Sequence, residues 1–346
     1  MYYNAALPIN PIINYNITFQ FIDIIYKEVF MRTSGYTFIV NPNSKSGLGR
    51  KIWSRQVEPA LKKQGIPYEV FFTKYRQHAV KISRKITGDG ECHTIIVLGG
   101  DGTINEVVNG IAYLSKATLG YIPTGSSNDF ARSLRLPTDP LPALSNILSP
   151  TRYLSANIGI LTYDGRKRRF AVSSGIGFDA GICHEAMVSP LKPLLNRLGL
   201  GKLTYVGIAL HQILTLTPGQ ITVTLDDKHK MKFPKAYFAT AMNQPYEGGG
   251  FLFCPAADCK DDFLDVIVIS GLSKLKILSL LPTAYKGWHT RFRGVHIYRC
   301  RKMEIASQSP LPLHTDGEPV FRQTQVSMSL HSEKLRIIAA PLQMIF

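Results

Sequence analysis

A single carboxylate stands inside a glycine-rich turn in the first third of the chain. The turn, Gly99–Thr103, reads GGDGT and follows the apolar, β-branched run Thr94–Leu98. Such a run is typical of a buried parallel strand, and the glycines let backbone N–H groups come close to an anion at the start of the next helix. Asp101 alone would repel phosphate, so we expect a divalent cation between them, bound directly or through water. The turn predicts a nucleotide site with a metal ion.

Two further polar turns follow predicted strands. Pro123–Asp129 comes after the next strand, and its Ser126 hydroxyl can donate to a phosphate while Asn128 can cap the following helix. Asn41–Gly47 follows the first strand of the regular part of the chain. Because the carboxyl ends of parallel strands meet at one edge of a sheet, we expect all three turns to lie together.

Strands and helices alternate over residues 36–150. This βα pattern predicts an α/β domain with a parallel sheet and helices on both faces. A proline-rich stretch, residues 137–150, is a candidate domain boundary.

Beyond residue 150 most connections read as turns. Residues 151–320 therefore predict a β-sandwich-like second domain. Residues 203–216 and 275–281 have helical patterns within it. The last strands, at 326–330 and 335–338, are candidates to return to the first domain, so that about residues 321–346 would belong there.

Composition restricts the partners without choosing among them. The chain has 346 residues and a formal net charge of +16, with a pI near 9.6, which fits a polyanionic partner. No nucleic-acid motif with interleaved aromatics is present, so we expect no nucleic acid. The five cysteines form no zinc pattern, which favours reduced thiols in the cytoplasm. No run is long and clean enough to span a bilayer.

These turns also carry a family resemblance. The segments Gly99–Glu106 and Pro123–Ala131 resemble the diacylglycerol kinase catalytic domain family, and are most similar to its soluble bacterial diacylglycerol and lipid kinases, with sphingosine and ceramide kinases more distant. The resemblance covers about residue 36 to the C-terminus and implies ATP bound in a cleft between an α/β domain and a β-sandwich domain. By that resemblance the nucleotide is lined by Asn41, Thr73, Gly99, Gly100, Asp101, Gly102, Thr103, Asn105, Glu106, Gly125 and Ser126.

A second acidic segment resembles the family's Asp-Gly-Glu motif. In Leu313–Pro319 the carboxylates Asp316 and Glu318 stand two residues apart, so in an extended segment they would share a face. The resemblance implies that this motif supplies the base that takes the proton of a lipid alcohol as it attacks the γ-phosphate of ATP. Either carboxylate remains open as the base, with the other as metal ligand or orienting group. Asp101 completes the expected catalytic set.

The segment Cys254–Val266 resembles the family's structural magnesium loop. By that resemblance Asp261 supplies the side-chain ligand, and Asp258 and Phe263 supply backbone carbonyls. The family usually has glycine where this chain has Asp262, and a residue with a Cβ resists positive φ. Asp262 therefore raises two alternatives: an altered loop or one more ligand.

The resulting hypothesis is an enzyme, a lipid kinase that uses ATP and Mg²⁺. We expect diacylglycerol as the substrate, with a sphingoid base, phosphatidylglycerol or NAD as alternatives and a catalytically inactive lipid-binding regulator as the non-enzyme reading. We also expect peripheral association of a cytoplasmic protein with an anionic membrane, through basic residues at 166–169, 291–293 and 299–302. Residues 1–35 lie outside the resemblance. They suggest either a leader before a natural start at Met31 or an amphipathic helix that contacts a membrane or a second subunit of a homodimer.

Overall fold

A computed structural model describes residues 35–177, 180, 215 and 217–341 of the chain. The N-terminal extension, the helical pattern at 203–216 (apart from Thr215) and the last five residues lie outside this part. No helix among the described residues combines the length and the apolar composition that crossing a bilayer requires.

The first sheet has six strands in the order β2-β1-β3-β4-β17-β5. All neighbours are parallel except β5, which runs antiparallel to β17. The strands are β1 (Tyr36–Val40), β2 (Tyr68–Phe72), β3 (His93–Gly99), β4 (Ala117–Pro123), β5 (Tyr153–Ala156) and β17 (Leu335–Ile338).

Helices cover both faces of this sheet, as the sequence pattern predicts. They are α1 (Ser44–Ile52), continued by a π-helical turn (Trp53–Val57) into α2 (Glu58–Lys63), then α3 (His78–Thr87), α4 (Asp101–Gly110), α5 (Asp129–Ser133) and α6 (Pro140–Leu148).

Successive residues of β3 supply both cores. Ile95 and Val97 pack in one core with α3 and α4, whereas Ile96 and Leu98 pack in the other with α1, α2 and α6. Because both faces of β3 are covered, its sequence is a continuous apolar run rather than an alternating one.

The second domain is β-rich, as expected, but its strands form one continuous antiparallel sheet instead of two separate ones. The path is β14-β13-β10-β8-β15-β16-β6-β7, and β9 pairs with both β10 and β15. These strands are β6 (Gly159–Tyr163), β7 (Arg166–Phe170), β8 (Ser173–Gly177), β9 (Gly219–Leu225), β10 (His229–Met242), β13 (Leu264–Ser270), β14 (Val295–Cys300), β15 (Lys302–Thr315) and β16 (Glu318–Leu330).

Two long strands, β10 and β15, fold this sheet over its own core. Each pairs with β9 along its first half and with β8 along its second half, and the pairing register shifts in between, at 233–236 and at 306–311. Such irregularities bend a strand and increase its twist. Side chains from β9, β13 and β16 consequently meet in one apolar cluster.

The chain changes sheets at points that differ from the expected boundaries. Strand β17 lies in the first sheet, whereas β16, whose end at 326–330 was also expected to return, stays in the second as the partner of β15 and β6. Strand β5, expected in the second domain, is the edge strand of the first sheet. The proline-rich stretch folds as α6, whose first residue is Pro140 and whose Ala143, Leu144 and Ile147 are buried.

Two smaller elements complete the second domain. A short hairpin consists of β11 (Tyr246–Glu247) and β12 (Phe251–Leu252), and helix α7 (Lys274–Ala284) confirms the helical pattern at 275–281.

Candidate active site

A cleft of about 370 Å³ opens at the carboxyl ends of β1, β2 and β3. This edge of an open α/β sheet is where ligands bind in such folds. The second sheet contributes one side chain to its lining, that of Glu318. The lining residues are Asn41, Asn43, Ser44, Lys45, Thr73, Lys74, Tyr75, Arg76, Gly100, Gly102, Thr103, Glu106, Gly125 and Glu318.

The three predicted turns meet at this cleft and are tied to one another. The Asn41 side-chain amide donates to Thr103 Oγ1 at 3.2 Å, and the hydroxyls of Ser44 and Thr124 share a hydrogen bond of 2.7 Å. A Cβ on Gly125 would lie 2.6 Å from Gly100 Cα, so the two glycine turns pack backbone to backbone. Glycine is required there because any side chain would separate the turns.

The Asp101 carboxylate is hydrogen-bonded within the protein, and its predicted contact with a cation stays a prediction. Its carboxylate accepts the backbone N–H groups of Asp129 at 3.0 Å and Phe130 at 3.1 Å, at the beginning of α5, and it is not among the cleft-lining groups. Burial, reinforced by the neighbouring Asp129, raises the pKa of Asp101 to about 6. In this structure Asp101 holds the second turn against the first and does not face the cleft where phosphates would lie.

Glu106 likewise organises a segment of the cleft wall. Its carboxylate accepts the N–H groups of Gln77 at 2.7 Å and Ala79 at 3.1 Å, where α3 begins, and burial raises its pKa. The segment before α3 is thereby held with Lys74 and Arg76 in the cleft wall. Sequence reasoning missed these two cations, although they directly follow the carboxyl end of β2.

The remaining expected nucleotide residues divide into two groups. Asn41, Thr73, Gly100, Gly102, Thr103 and Gly125 line the cleft. Gly99, Asn105 and Ser126 do not. Gly99 packs on Thr103, whose Oγ1 would lie 2.6 Å from a Cβ at that position, and Ser126 is exposed beyond the lining. Asn105 is buried and donates to Asp316.

Asp316 lies in a tight hairpin turn and Glu318 directly follows that turn, so the two residues do not lie in one extended segment. Strand β15 ends at Thr315, β16 begins at Glu318, and the two residues between them, Asp316 and Gly317, have φ of +50° and +76°. An Asp-Gly pair with two positive φ angles is typical of a two-residue β-hairpin. The expectation that the two carboxylates share a face of an extended segment is therefore wrong.

The Asp316 carboxylate is fully engaged in holding the two domains together. It accepts hydrogen bonds from the side chain of Asn105 at 2.8 Å and from the N–H groups of Ala171, Val172 and Ser173 at 2.8, 2.7 and 3.0 Å. Asn105 belongs to the first domain and the other three donors to the second. Each of its two oxygens thus accepts two hydrogen bonds from the protein, which commits the Asp316 carboxylate to the contact between the domains.

Glu318 is the carboxylate that reaches the cleft. Its side chain is 30% exposed, and one oxygen pairs with Arg76 at 2.8 Å. The other oxygen would lie 2.8 Å from a Cβ on Gly102, so the carboxylate sits directly over the glycine turn. The geometry thus separates the two candidates: Asp316 positions the hairpin, and Glu318 is placed to exchange a proton with a bound group.

The expected magnesium loop is occupied by interactions within the protein. The Asp261 carboxylate pairs with Arg299 and also accepts the N–H of Phe263 at 3.0 Å. The Asp258 carboxylate pairs with Lys260 at 3.0 Å, and the Asp258 carbonyl accepts the N–H of Asp261. The guanidinium of Arg299 also lies over the Phe263 ring, 4.4 Å from its centroid.

Asp262 adopts the backbone conformation for which glycine is usual, with φ of +66°. Its carboxylate accepts hydrogen bonds from Lys334 at 2.6 Å and Asn157 at 2.8 Å, and its own N–H donates to the Asn157 side chain at 3.1 Å. The hydrogen bond from Lys334 lowers the pKa of Asp262. These contacts offset the strain of the left-handed conformation. The carboxylates of Asp258, Asp261 and Asp262 are thus each paired with a protein cation. The magnesium site expected from the Asp261 side chain and the carbonyls of Asp258 and Phe263 stays a prediction.

Comparison with known proteins gives this site a context. The family model for the diacylglycerol kinase catalytic domain matches residues 35–155, and the model described as a YegS C-terminal NAD kinase beta sandwich-like domain matches residues 177–339. "Putative lipid kinase YtlR" of Bacillus subtilis (strain 168) is 29% identical over 309 residues, which cover 88% of this chain and 99% of that protein. Diacylglycerol kinase of the same strain is 27% identical over 288 residues, covering 81% and 88%.

The fold has a counterpart of known structure. A crystal structure titled "putative diacylglycerol kinase", from Bacillus anthracis str. Sterne, superposes with a TM-score of 0.70 at 22% identity and covers 89% of this chain and 98% of that one.

Fold, site and relatives together define a kinase that phosphorylates a lipid. The α/β domain, the β-rich domain and the cleft lined by both are the parts that such an enzyme requires. The first domain matches the diacylglycerol kinase catalytic domain family and the second matches the YegS C-terminal domain, so the chain is similar to bacterial lipid kinases over both domains.

Proposed function

We propose that the chain transfers the γ-phosphate of ATP to the hydroxyl group of diacylglycerol, giving phosphatidic acid. The observation that carries this proposal is the position of Glu318. Among the described residues it is the one carboxylate that the second domain contributes to the lining of the cleft, and it lies over the glycine turn of the first domain. A base at this point can meet an acceptor hydroxyl that enters between the domains.

The cleft has the charges that a nucleotide phosphate chain needs. Lys45, Lys74 and Arg76 line it, together with the backbone of the glycine turn and the hydroxyl of Thr103. Lys45 lies in a stretch of left-handed backbone, with φ of +46°, which keeps the turn after β1 bent toward the cleft. Cations and backbone N–H groups around the phosphates stabilise the charge that develops during phosphoryl transfer. ATP would enter as its magnesium complex.

Glu318 would accept the proton of the hydroxyl as its oxygen attacks the γ-phosphorus. Arg76 pairs with Glu318 at 2.8 Å and also lines the cleft, so the carboxylate is held beside the position that a bound acceptor would take. Asp316 and Asn105 keep the hairpin that carries Glu318 in register with the glycine turn. The lipid would be reached at a membrane surface by an otherwise cytoplasmic protein.

Labelled ATP and a panel of acceptors test this proposal. The panel contains micellar diacylglycerol, monoacylglycerol, phosphatidylglycerol and a sphingoid base, with NAD as a soluble acceptor. We expect labelled phosphatidic acid as the main product, and no label with Glu318→Gln. Preferential labelling of another lipid would change the proposed substrate but would still support a lipid kinase. NAD is included because the second family model is described by an NAD kinase domain, and preferential labelling of NAD would overturn the proposal. Absence of turnover on every acceptor would favour a lipid-binding regulator.

A further inference from the structure

One stretch of the second domain carries several positive charges and no carboxylate of its own. Residues 266–303 contain no Asp or Glu and eight basic residues, half of the formal net charge of the chain. The basic residues are Lys274, Lys276, Lys286, Arg291, Arg293, Arg299, Arg301 and Lys302. A surface built from this stretch attracts anions.

Exposed aromatic rings interleave with the central cations of this stretch. Tyr285, Trp288 and Phe292 are 51%, 50% and 41% exposed, although residues of this size are usually well buried. They stand between Lys286, Arg291 and Arg293, which are also exposed. We call these six residues, at the C-terminal end of α7 and in the turn after it, the aromatic–basic surface.

The inner side of the same turn is firmly packed, so the outer rings are held in place. Tyr285 stacks on Phe251 with ring centroids 4.2 Å apart, and the buried His289 is hydrogen-bonded through Nε2 to the Phe253 carbonyl at 3.1 Å. Gly287, with φ of +69°, packs so closely on Pro255 that a Cβ would meet it at 2.6 Å. The exposure of the three aromatic rings is therefore built into the turn.

This surface is connected to the cleft through the β11–β12 hairpin. Phe251 belongs to the β11–β12 hairpin, and at the tip of that hairpin the N–H of Gly249 donates to the Asp129 carboxylate at 2.7 Å. Asp129 ends the turn whose Gly125 lines the cleft. One short hairpin thus links the aromatic rings to the active-site turn.

The basic segment at residues 166–169, which was also expected to contact a membrane, uses two of its arginines for contacts within the protein. Arg169 donates to the carbonyls of Val108 and Ile111 at the end of α4, and Arg168 donates to the Asn105 side chain. These two guanidinium groups connect the domains and are not available to a partner. The aromatic–basic surface is consequently distinct from the 166–169 segment.

We propose that the aromatic–basic surface docks the enzyme on an anionic phospholipid bilayer. Aromatic rings and cations at one level match the interfacial region of a membrane, where rings enter among the headgroups and Lys and Arg meet anionic lipid. The inference rests on the proposed function, because a lipid acceptor would reach the cleft from the surface on which this rim lies.

Vesicle binding in the absence of ATP and acceptor tests the inference. The full chain is sedimented with vesicles of phosphatidylglycerol and phosphatidylcholine, and its partition coefficient is compared with that of Lys286→Gln/Arg291→Gln/Arg293→Gln. Each cation near an anionic surface contributes about fivefold, so the triple variant should bind about 100-fold more weakly. Trp288→Ala/Phe292→Ala should weaken binding as well, and the loss should persist at high salt because it is apolar.

A matched control removes three charges elsewhere. Lys63→Gln/Lys85→Gln/Lys228→Gln changes exposed residues remote in sequence from the surface, and it should bind within about threefold of wild type, since distant charges are screened. Equal binding by both triple variants, or a triple surface variant that binds like wild type, would overturn the inference. Loss of a dimer in analytical ultracentrifugation with vesicle binding unchanged would assign the surface to a second copy and overturn it too.

Turnover of a water-soluble, short-chain diacylglycerol by the wild type is measured separately. If that turnover is absent, the proposed function fails while the vesicle result stands. If that turnover is present and the surface variants bind vesicles as tightly as the wild type, only the docking inference fails.

Discussion

Substitution of Asp316 by its amide should mainly lower stability, whereas substitution of Glu318 by its amide should mainly lower the rate of catalysis. In Asp316→Asn the amide oxygen can still accept from Val172 and Ser173, but the new NH₂ group faces two donors, Asn105 and the N–H of Ala171. Two hydrogen bonds to a charged group are lost, each contributing about 1.5 kcal/mol or more. We therefore expect the free energy of unfolding to fall by about 3 kcal/mol.

Glu318→Gln removes only a half-exposed ion pair with Arg76. Such a pair contributes little to folding, so the free energy of unfolding should change by about 0.5 kcal/mol or less. The amide cannot accept the proton of the acceptor hydroxyl, and kcat should fall by about 10²- to 10⁴-fold.

The two variants are compared by urea denaturation and by initial rates with labelled ATP and diacylglycerol. Glu318→Asp serves as the conservative control, since it keeps a base but withdraws it by one methylene, and it should recover part of the rate. The assignment would be refuted by a Glu318→Gln enzyme that keeps at least a tenth of wild-type kcat while Asp316→Asn is inactive yet as stable as wild type.

Four other variants test the positions of the glycine turns and of the acidic loop. The pKa of Asp101 is raised from 3.8 to about 6, so between these pH values the native state binds a proton that the unfolded state does not. The contribution of Asp101 to stability should therefore decrease by about 3 kcal/mol as pH rises from 4 to 6. Denaturant unfolding of Asp101→Asn should not show this decrease. Gly102→Ala places a methyl group 2.8 Å from the Glu318 carboxylate and should lower kcat about 10- to 100-fold with little change in melting temperature. Gly125→Ala meets the backbone of the neighbouring turn and should instead cost about 1–3 kcal/mol in urea denaturation. EDTA should leave the melting temperature of the wild type unchanged, whereas Arg299→Met, which unpairs the acidic loop, should be less stable and should gain stability on addition of Mg²⁺.

Local chemistry carries much of this architecture. The apolar run of β3, the glycine turn after it and the serine- and asparagine-containing turn after β4 are each specified by neighbours in the chain, because strand burial and helix starts depend on short-range sterics and hydrogen bonds. For this reason the βα alternation, the position of the cleft and most residues that line it were predictable.

Roles that depend on distant partners were not predictable in this way. Asp316 and Glu318 look alike in sequence, and only hydrogen bonds to groups 143 to 211 positions away separate the structural carboxylate from the one that reaches the cleft. The hydrogen bonds of Asp101 to the start of α5, 28 positions further on, were likewise not predictable from the turn alone.

The sequence by itself thus determined the class of enzyme and the turns that form the cleft. The tertiary structure decided which carboxylate reaches the cleft, that Asp262 can replace a glycine because Asn157 and Lys334 hold it, and that strand β17 returns to complete the first sheet. The physical reason is that a side chain's partners are chosen by packing. Asp316 and Glu318 carry the same functional group, and they differ in role because the fold surrounds Asp316 with four hydrogen-bond donors and places Glu318 at an open cleft.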